Sequence, residues 1–171
     1  EDINLLSNEL TKLCAYSQKG TITKETVDAV SVKTVEASIY NLSKFILSAN
    51  TAEAPSCLDE LFFMRIDAMP ILYNISSIYV DMLRIFAAKE QGLKISDVAE
   101  TFDYKNKAFL LDKAAPYLKK MDFKRLNLSL EAITEADIKL KSFGSDDRII
   151  LEQLIIKLIY ILAKGEKVDK T

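Results

Sequence analysis

The stretch that follows Asp146 constrains this chain more than any other. Ile149, Ile150, Leu151, Leu154, Ile155, Ile156, Leu158, Ile159, Ile161 and Leu162 leave only Glu152, Gln153, Lys157 and Tyr160 as a polar strip. A helix over residues 147–163 that is apolar around more than half its circumference must be covered on several sides. The cover comes from its own domain or from another chain, because such helices are stabilised by packing more than by propensity. Just before it, Leu126, Leu130, Ile133, Ala136, Leu140 and Phe143 recur at spacings of three and four. Residues 126–141 therefore read as a second helix, with 142–146 as the turn and Asp146 as a helix cap. The run 149–163 contains Glu152, Gln153 and Lys157, and is too short and too polar to span a bilayer.

The rest of the chain reads the same way. Four Gly and three Pro in 171 residues favour long helices with short turns over a loop-rich sheet protein. The spacing predicts a helix over 3–17 with Leu5, Leu10, Leu13 and Cys14 on its apolar side, ended by Lys19-Gly20. A short helix over 24–30 follows, capped by Thr23 with Glu25 in its first turn. Two helices this short bury little, so residues 1–33 are expected to be a small unit that leans on something else. The boundary is placed near residues 31–35. Beyond it come helices over 35–48 and from Asn50 or Thr51 to before Pro70, the latter with Leu58, Leu61, Phe62 and Met64 inward. The clearest central stripe spans 71–89: Ile71, Leu72, Ile75, Ile78, Tyr79, Met82, Leu83 and Phe86, closed by Gln91-Gly92. A short helix over 97–101, capped by Ser96, is expected to turn Val98, Ala99 and Phe102 inward. One over 105–113 buries Phe109 and Leu110. The charged tail 164–171 is expected to fray. No sustained period-two pattern occurs, so the fold class expected is all-α: an irregular helical bundle over 34–171 preceded by a short helical unit.

Little in this composition supports catalysis. The absence of His removes the commonest general base and the commonest transition-metal ligand. Cys14 and Cys57 are too far apart in sequence for a C-x-x-C redox pair. Both read as reduced core thiols of a reducing, cytoplasmic compartment. There is no phosphate-cradling G-x-x-x-x-G-K-[ST] and no nucleophile elbow. Glu131, Glu135 and Asp137 could share a helix surface, yet that spacing is ordinary on a solvated helix. No catalytic, metal or cofactor site is expected. Nothing basic precedes an apolar run near Glu1, so no signal peptide is expected either. A chain opening on Glu1 rather than Met suggests an excised piece of a longer protein.

The net charge of −2 offers no global field for nucleic acid or an acidic membrane, but the charge is uneven. Lys105, Lys107, Lys113, Lys119, Lys120, Lys124 and Arg125 crowd a segment in which Asp103, Asp112 and Asp122 are the only acids. These seven are the candidates for weak, non-specific contact with DNA phosphate. Residues 96–113 also have the outline of a helix-turn-helix. A recognition helix wants base-reading Arg, Asn or Gln, and only Asn106 is offered. Residue chemistry alone leaves two readings open: a helix-turn-helix DNA-binding regulatory protein, and an assembly scaffold. In the scaffold, the excess apolar surface around Leu151, Leu154, Leu158 and Ile159 forms a subunit interface.

The order of several soft motifs resembles a known family. Asn8-Glu9-Leu10, Lys12-Leu13 and Tyr16, then Gly20-Thr21-Ile22-Thr23 and Val27, lead into Ile39-Tyr40-Asn41-Leu42. Pro70, Leu83-Arg84 and Ile95-Ser96 with Val98-Ala99 follow. Leu126, Ser129-Leu130, Glu135-Ala136-Asp137, Leu140-Lys141, Leu151-Glu152 and Leu154 close the pattern. In order and spacing these resemble the C-terminal portion of the delta subunit of bacterial DNA polymerase III, a component of the sliding-clamp loader. There are departures. Ser142-Phe143-Gly144 delays a glycine that the family places earlier, and Asp67-Ala68-Met69 stands where a Gly-Glu pair is common. The resemblance implies that 1–33 is the end of an AAA+-like helical lid domain and 34–171 the collar domain. It implies no ATP hydrolysis in this subunit. Its partners would be the other clamp-loader subunits, of gamma/tau and delta-prime type. The sliding clamp would be reached only through an N-terminal domain outside these residues.

Overall fold

In a computed structural model that describes residues 3–17, 20–30, 35–142, 144 and 146–164, the chain divides into two units, Glu1–Thr34 and Val35–Thr171. The first holds α1 (Ile3–Tyr16) and α2 (Lys24–Val30). Gly20 takes φ +68° after α1, and its N–H donates to the Ser17 carbonyl at 3.2 Å; Lys19, expected in the same cap, lies outside the described residues. Thr23 caps α2 reciprocally. Its hydroxyl accepts from the Thr26 N–H at 3.3 Å, while its own N–H donates to Thr26 Oγ1 at 2.6 Å. The Glu25 carboxyl is held below its usual range by its own backbone N–H and the Thr23 hydroxyl together. Leu13 is buried, but Leu10 and Cys14, expected inside, are exposed, as are Ile3, Leu6 and Tyr16. Two short helices can cover only one narrow strip of each other, so the outer apolar positions of α1 stay uncovered within this unit. The core-thiol expectation holds for Cys57 and fails for Cys14.

The second unit contains α3 (Val35–Leu47), α4 (Glu53–Phe63), α5 (Ala68–Glu90), α6 (Ile95–Thr101), α7 (Phe109–Ala114), α8 (Phe123–Leu140) and α9 (Asp147–Lys164). A single 3₁₀ turn stands at Lys105–Lys107 and a two-turn 3₁₀ segment at Ala115–Lys120. No strand occurs among the described residues. α9 packs on α3, α4, α5 and α8. Its Ile150, Leu151, Leu154, Ile155, Leu158 and Ile159 enter one core with Leu42 and Ile46 of α3, Leu58 and Leu61 of α4, and Leu126 and Ile133 of α8. α5 is long and apolar enough to cross a membrane by length and composition alone. Its Ile71, Leu72, Ile75, Tyr79, Met82 and Ile85 are instead spent inside the bundle.

Local chemistry sets most boundaries. Asn50, rather than Thr51, caps α4: its side-chain oxygen accepts from the Ala52 and Glu53 N–H groups at 3.3 and 3.1 Å. Asp122 caps α8 through the Arg125 N–H at 2.7 Å, and Asp146 caps α9 through the Arg148 N–H at 2.9 Å. Pro70 does not follow a helix end but lies in the first turn of α5, where its missing N–H costs nothing. Ser96 is not a cap; Asp97 reaches back to accept from the Lys94 N–H at 2.8 Å and starts α6 one residue before Ser96. The helix expected over 105–113 is broken into a 3₁₀ turn and the short α7, which buries Leu111 and Ala114 while Phe109 points out. Phe102 and Met64 are also exposed rather than inward. Phe143 and the tail 165–171 lie outside the described residues. Leu158 has no solvent exposure, so Leu158→Ala should lower unfolding free energy by about 2–5 kcal/mol. Ile156→Ala, on the exposed side of the same helix, should change it by no more than about 0.5 kcal/mol; urea titration of the two variants distinguishes them.

One polar group interrupts the buried face of α5. Asp81 is 4% exposed. Tyr104, in the turn after α6, donates its hydroxyl proton to Asp81 Oδ1. Arg84 Nη1 in turn donates to the Tyr104 hydroxyl oxygen at 2.6 Å and lies 3.5 Å from Asp81 Oδ1. Burial pushes the Asp81 carboxyl above its usual range, partly offset by the Tyr104 hydrogen bond and the Arg84 charge. A carboxyl whose folded pKa exceeds its unfolded one binds its proton more readily in the fold. Its contribution to stability therefore grows as pH falls through the folded pKa and is complete below the unfolded one. The difference in Tm between wild type and Asp81→Asn should shift in favour of wild type as pH drops from 7 to about 4. A difference that stays flat over that interval in thermal scans would contradict a raised pKa.

Candidate functional site

The Asp81–Tyr104–Arg84 lock forms the floor of a groove of about 380 Å³, open on one side. α3 contributes Tyr40; α5 contributes Tyr73, Asn74, Ser77 and Arg84; the turn after α6 contributes Phe102 and Tyr104; the next segment contributes Lys107, Leu110 and Lys113. The turn is the unusual part. Asp103 and Lys105 have φ of +52° and +47°, a left-handed region that costs an L-residue about 1 kcal/mol or more. That reversal brings Tyr104 back onto α5 and leaves Phe102 at the rim. The Tyr104 N–H donates to the Ala99 carbonyl at 3.0 Å, fixing the turn. Arg84 then lies with its guanidinium carbon 4.4 Å from the Phe102 ring centre and 5.5 Å from that of Tyr104. Lys113 Nζ sits 4.5 Å from the Tyr40 ring centre and 5.0 Å from that of Phe109. Ser43 Oγ, donating to Asn74 Oδ1 at 3.0 Å, ties α3 to α5 behind the groove.

The seven basic residues do not form one patch with one role. Arg125 is structural: it donates to the Lys120 carbonyl at 2.8 Å and lies 3.7 Å from Asp122. Lys105 pairs with Asp103 at 3.2 Å. Lys107 and Lys113 line the groove, whereas Lys119, Lys120 and Lys124 are exposed. The helix-turn-helix outline loses its second element, because α7 has six residues and follows a break. Fewer than two turns cannot lay several base-reading side chains along a major groove.

Leu151, Leu154, Leu158 and Ile159, the expected interface residues, are 0, 3, 0 and 7% exposed. They face the bundle's own core, so the apolar excess of α9 is absorbed inside the domain. Ile149, Ile156 and Tyr160 are the large apolar side chains exposed on that helix. The three acids considered for a cluster go to separate partners. Glu131 accepts from Asn127 at 2.7 Å, Glu135 pairs with Lys157 of α9 at 2.7 Å, and Asp137 pairs with Lys141 at 2.6 Å. The Lys157 hydrogen bond and charge hold the Glu135 carboxyl below its usual range. No group of metal-binding side chains occurs among the described residues. Sequence reasoning missed the lock and its groove. Its one visible signal was Asp81, a lone acid within the 71–89 apolar stripe.

This architecture has counterparts among known proteins. No curated protein sequence matches the chain. Among solved structures, the Bacillus subtilis DNA clamp loader delta protein (YqeN) superimposes with a TM-score of 0.70 at 20% identity, over 92% of this chain and 46% of that one. The chain thus spans about half the length of that relative, and the likeness at this identity is one of fold. A family profile described as DNA polymerase III delta subunit, C-terminal domain, matches residues 36–158. That match takes in most of the chain and nearly all of the α3–α9 bundle, and the chain therefore belongs to the family of the DNA polymerase III delta subunit, C-terminal domain.

Proposed function

We propose that this chain is an assembly element of the bacterial DNA polymerase III clamp loader, the part of a delta subunit that holds it in the complex during replication. The match of residues 36–158 to the family, lying on a self-contained helical bundle, carries this reading. In it, the α3–α9 unit is the collar domain and α1–α2 the end of an AAA+-like lid. The partners are loader subunits of gamma/tau and delta-prime type, and the location is the cytoplasm, where the chromosome is copied. The work is mechanical support, without ATP hydrolysis in this chain. The sliding clamp is engaged by a domain outside these residues.

The burial of Leu151, Leu154, Leu158 and Ile159 moves the proposed seam to the outer face of α9. Ile149, Gln153, Ile156 and Tyr160 follow one another there at spacings of four, three and four. Lys157, Arg148 and Glu152 give it a charged rim, with Arg148 bridging Asp59 at 2.5 Å and Glu152 at 2.9 Å. Such a rim sets orientation more than affinity. Co-expression with the gamma/tau and delta-prime type subunits should recover this chain in a stable complex. Ile156→Glu should weaken that recovery while leaving Tm unchanged, and Δ1–33 should still melt cooperatively. Failure to co-purify with any loader subunit would sink the assembly role. Loss of the cooperative transition in Δ1–33 would sink only the lid–collar division.

DNA contact, in this reading, is incidental and electrostatic, resting on Lys119, Lys120 and Lys124. Duplex affinity measured by anisotropy should be weak, should fall steeply as salt rises, and should drop further in the triple Ala variant. A preference of about a hundredfold for one sequence over random duplex would instead indicate a sequence reader.

A further inference from the structure

We propose that the groove floored by the Asp81–Tyr104–Arg84 lock is a docking site for an acidic, apolar-rich peptide segment of a partner protein. Lys107 and Lys113 stand on one wall, and Tyr73, Phe102 and Leu110 supply the apolar lining. Arg84 is already engaged by Tyr104, Asp81 and the Phe102 face. The positive charge left for a ligand is therefore two ammonium groups at one side, one of them resting over aromatic rings. A carboxylate can draw an ammonium from a ring face at little cost, since the charge pair replaces a weaker cation–π contact.

The charge pattern favours peptide over nucleic acid. A single strand needs a basic track along its backbone. Here the cations form two points rather than a track, because Arg84 is spent on Asp81 and Tyr104, and Lys105 on Asp103. A peptide that alternates a carboxylate with a bulky apolar side chain meets both halves of the lining. Tyr73 supplies an anchor: it is 76% exposed and stands between this groove and a second one of about 390 Å³ lined by Met69, Leu72 and Ile133. An exposed Tyr on a rigid helix flanked by two depressions has the makings of a binding hot spot. The inference stands on the groove alone and does not need the loader assignment.

The test is fluorescence anisotropy on the full chain with three labelled probes. One is a peptide alternating Asp or Glu with Leu or Phe, the second has Lys and Arg in place of the acids, and the third is an oligothymidylate. The acidic peptide should bind with Kd on the order of micromolar. Lys107→Glu, Lys113→Glu and Tyr73→Ala should each weaken it about tenfold or more. Lys113→Gln, which keeps the length but removes the charge, should show most of the Lys113→Glu loss. The substituted side chains are exposed, so Tm should hold. If a Lys113 variant is destabilised, Lys107→Glu and Tyr73→Ala decide the question. The proposal is overturned by no acidic-peptide binding up to about a millimolar, or by equal binding of the basic peptide. It is also overturned if oligothymidylate binds more tightly and is lost in the same variants, which would make the groove a nucleic-acid site.

Discussion

The bundle depends on one contact set: six aliphatic side chains of α9 inserted among α3, α4, α5 and α8. Each fully buried Leu or Ile contributes roughly 1.5–3 kcal/mol relative to exposure, against a net stability for a domain of about 5–15 kcal/mol. α5, which packs on α3, α6, α7, α8 and α9, is the other long helix of this core. α8 and α9 are additionally tied by Glu135 and Lys157, and α9 to α4 by Arg148 and Asp59. Those pairs are exposed and are worth little in water. They fix the azimuth of a helix whose affinity for its site comes from the apolar face.

Why α9 could be read as a helix in need of cover, with its own domain and another chain both left open as the source, follows from what periodicity measures. Spacing shows that Leu151, Leu154, Leu158 and Ile159 share a face, but it carries no information on whether that face meets the same chain or another. Only the placement of α3, α4 and α5 around α9 settles it, and those contacts span from tens of residues to about a hundred. Caps were more legible because their chemistry is local: Thr23, Asn50 and Asp146 each act within three residues, although Asp97 displaced Ser96 and Asp122 went unread. The segment 105–113 was read as one helix because Ala108, Phe109 and Leu110 favour that pattern. Two residues at positive φ and the pull of Asp81 on Tyr104 overrode it. Neither left a glycine or proline to announce the break.

The lock and the groove are two faces of one arrangement. A carboxylate buried on α5 is costly unless donors reach it, and the donors come from Tyr104 and, through it, Arg84. Holding Tyr104 there requires the tight turn, and the tight turn places Phe102 and Lys107 around the opening. The groove's outline is thus a by-product of satisfying one buried acid, and its wall is as rigid as that acid's hydrogen bonds.

The position of α9 along the chain bears on how this bundle comes into being at the ribosome. Every helix that α9 packs on precedes it in synthesis. The ion pair from Arg148 to Asp59 closes 89 residues, whereas the Tyr104–Asp81 bond closes 23. The longer closure costs only about 1 kcal/mol more in chain entropy, so the obstacle is timing more than thermodynamics. Until Asp147 and its successors leave the exit tunnel, α3, α4, α5 and α8 can pack on one another, but the face that α9 covers on them, Leu42, Ile46, Leu58, Leu61 and Leu126 among its core, lacks its last partner. α5, α6 and the turn can settle early through their short-range bonds. A chain released before α9 is complete would leave that apolar face uncovered, and exposed apolar surface of this kind is what chaperones bind on nascent chains.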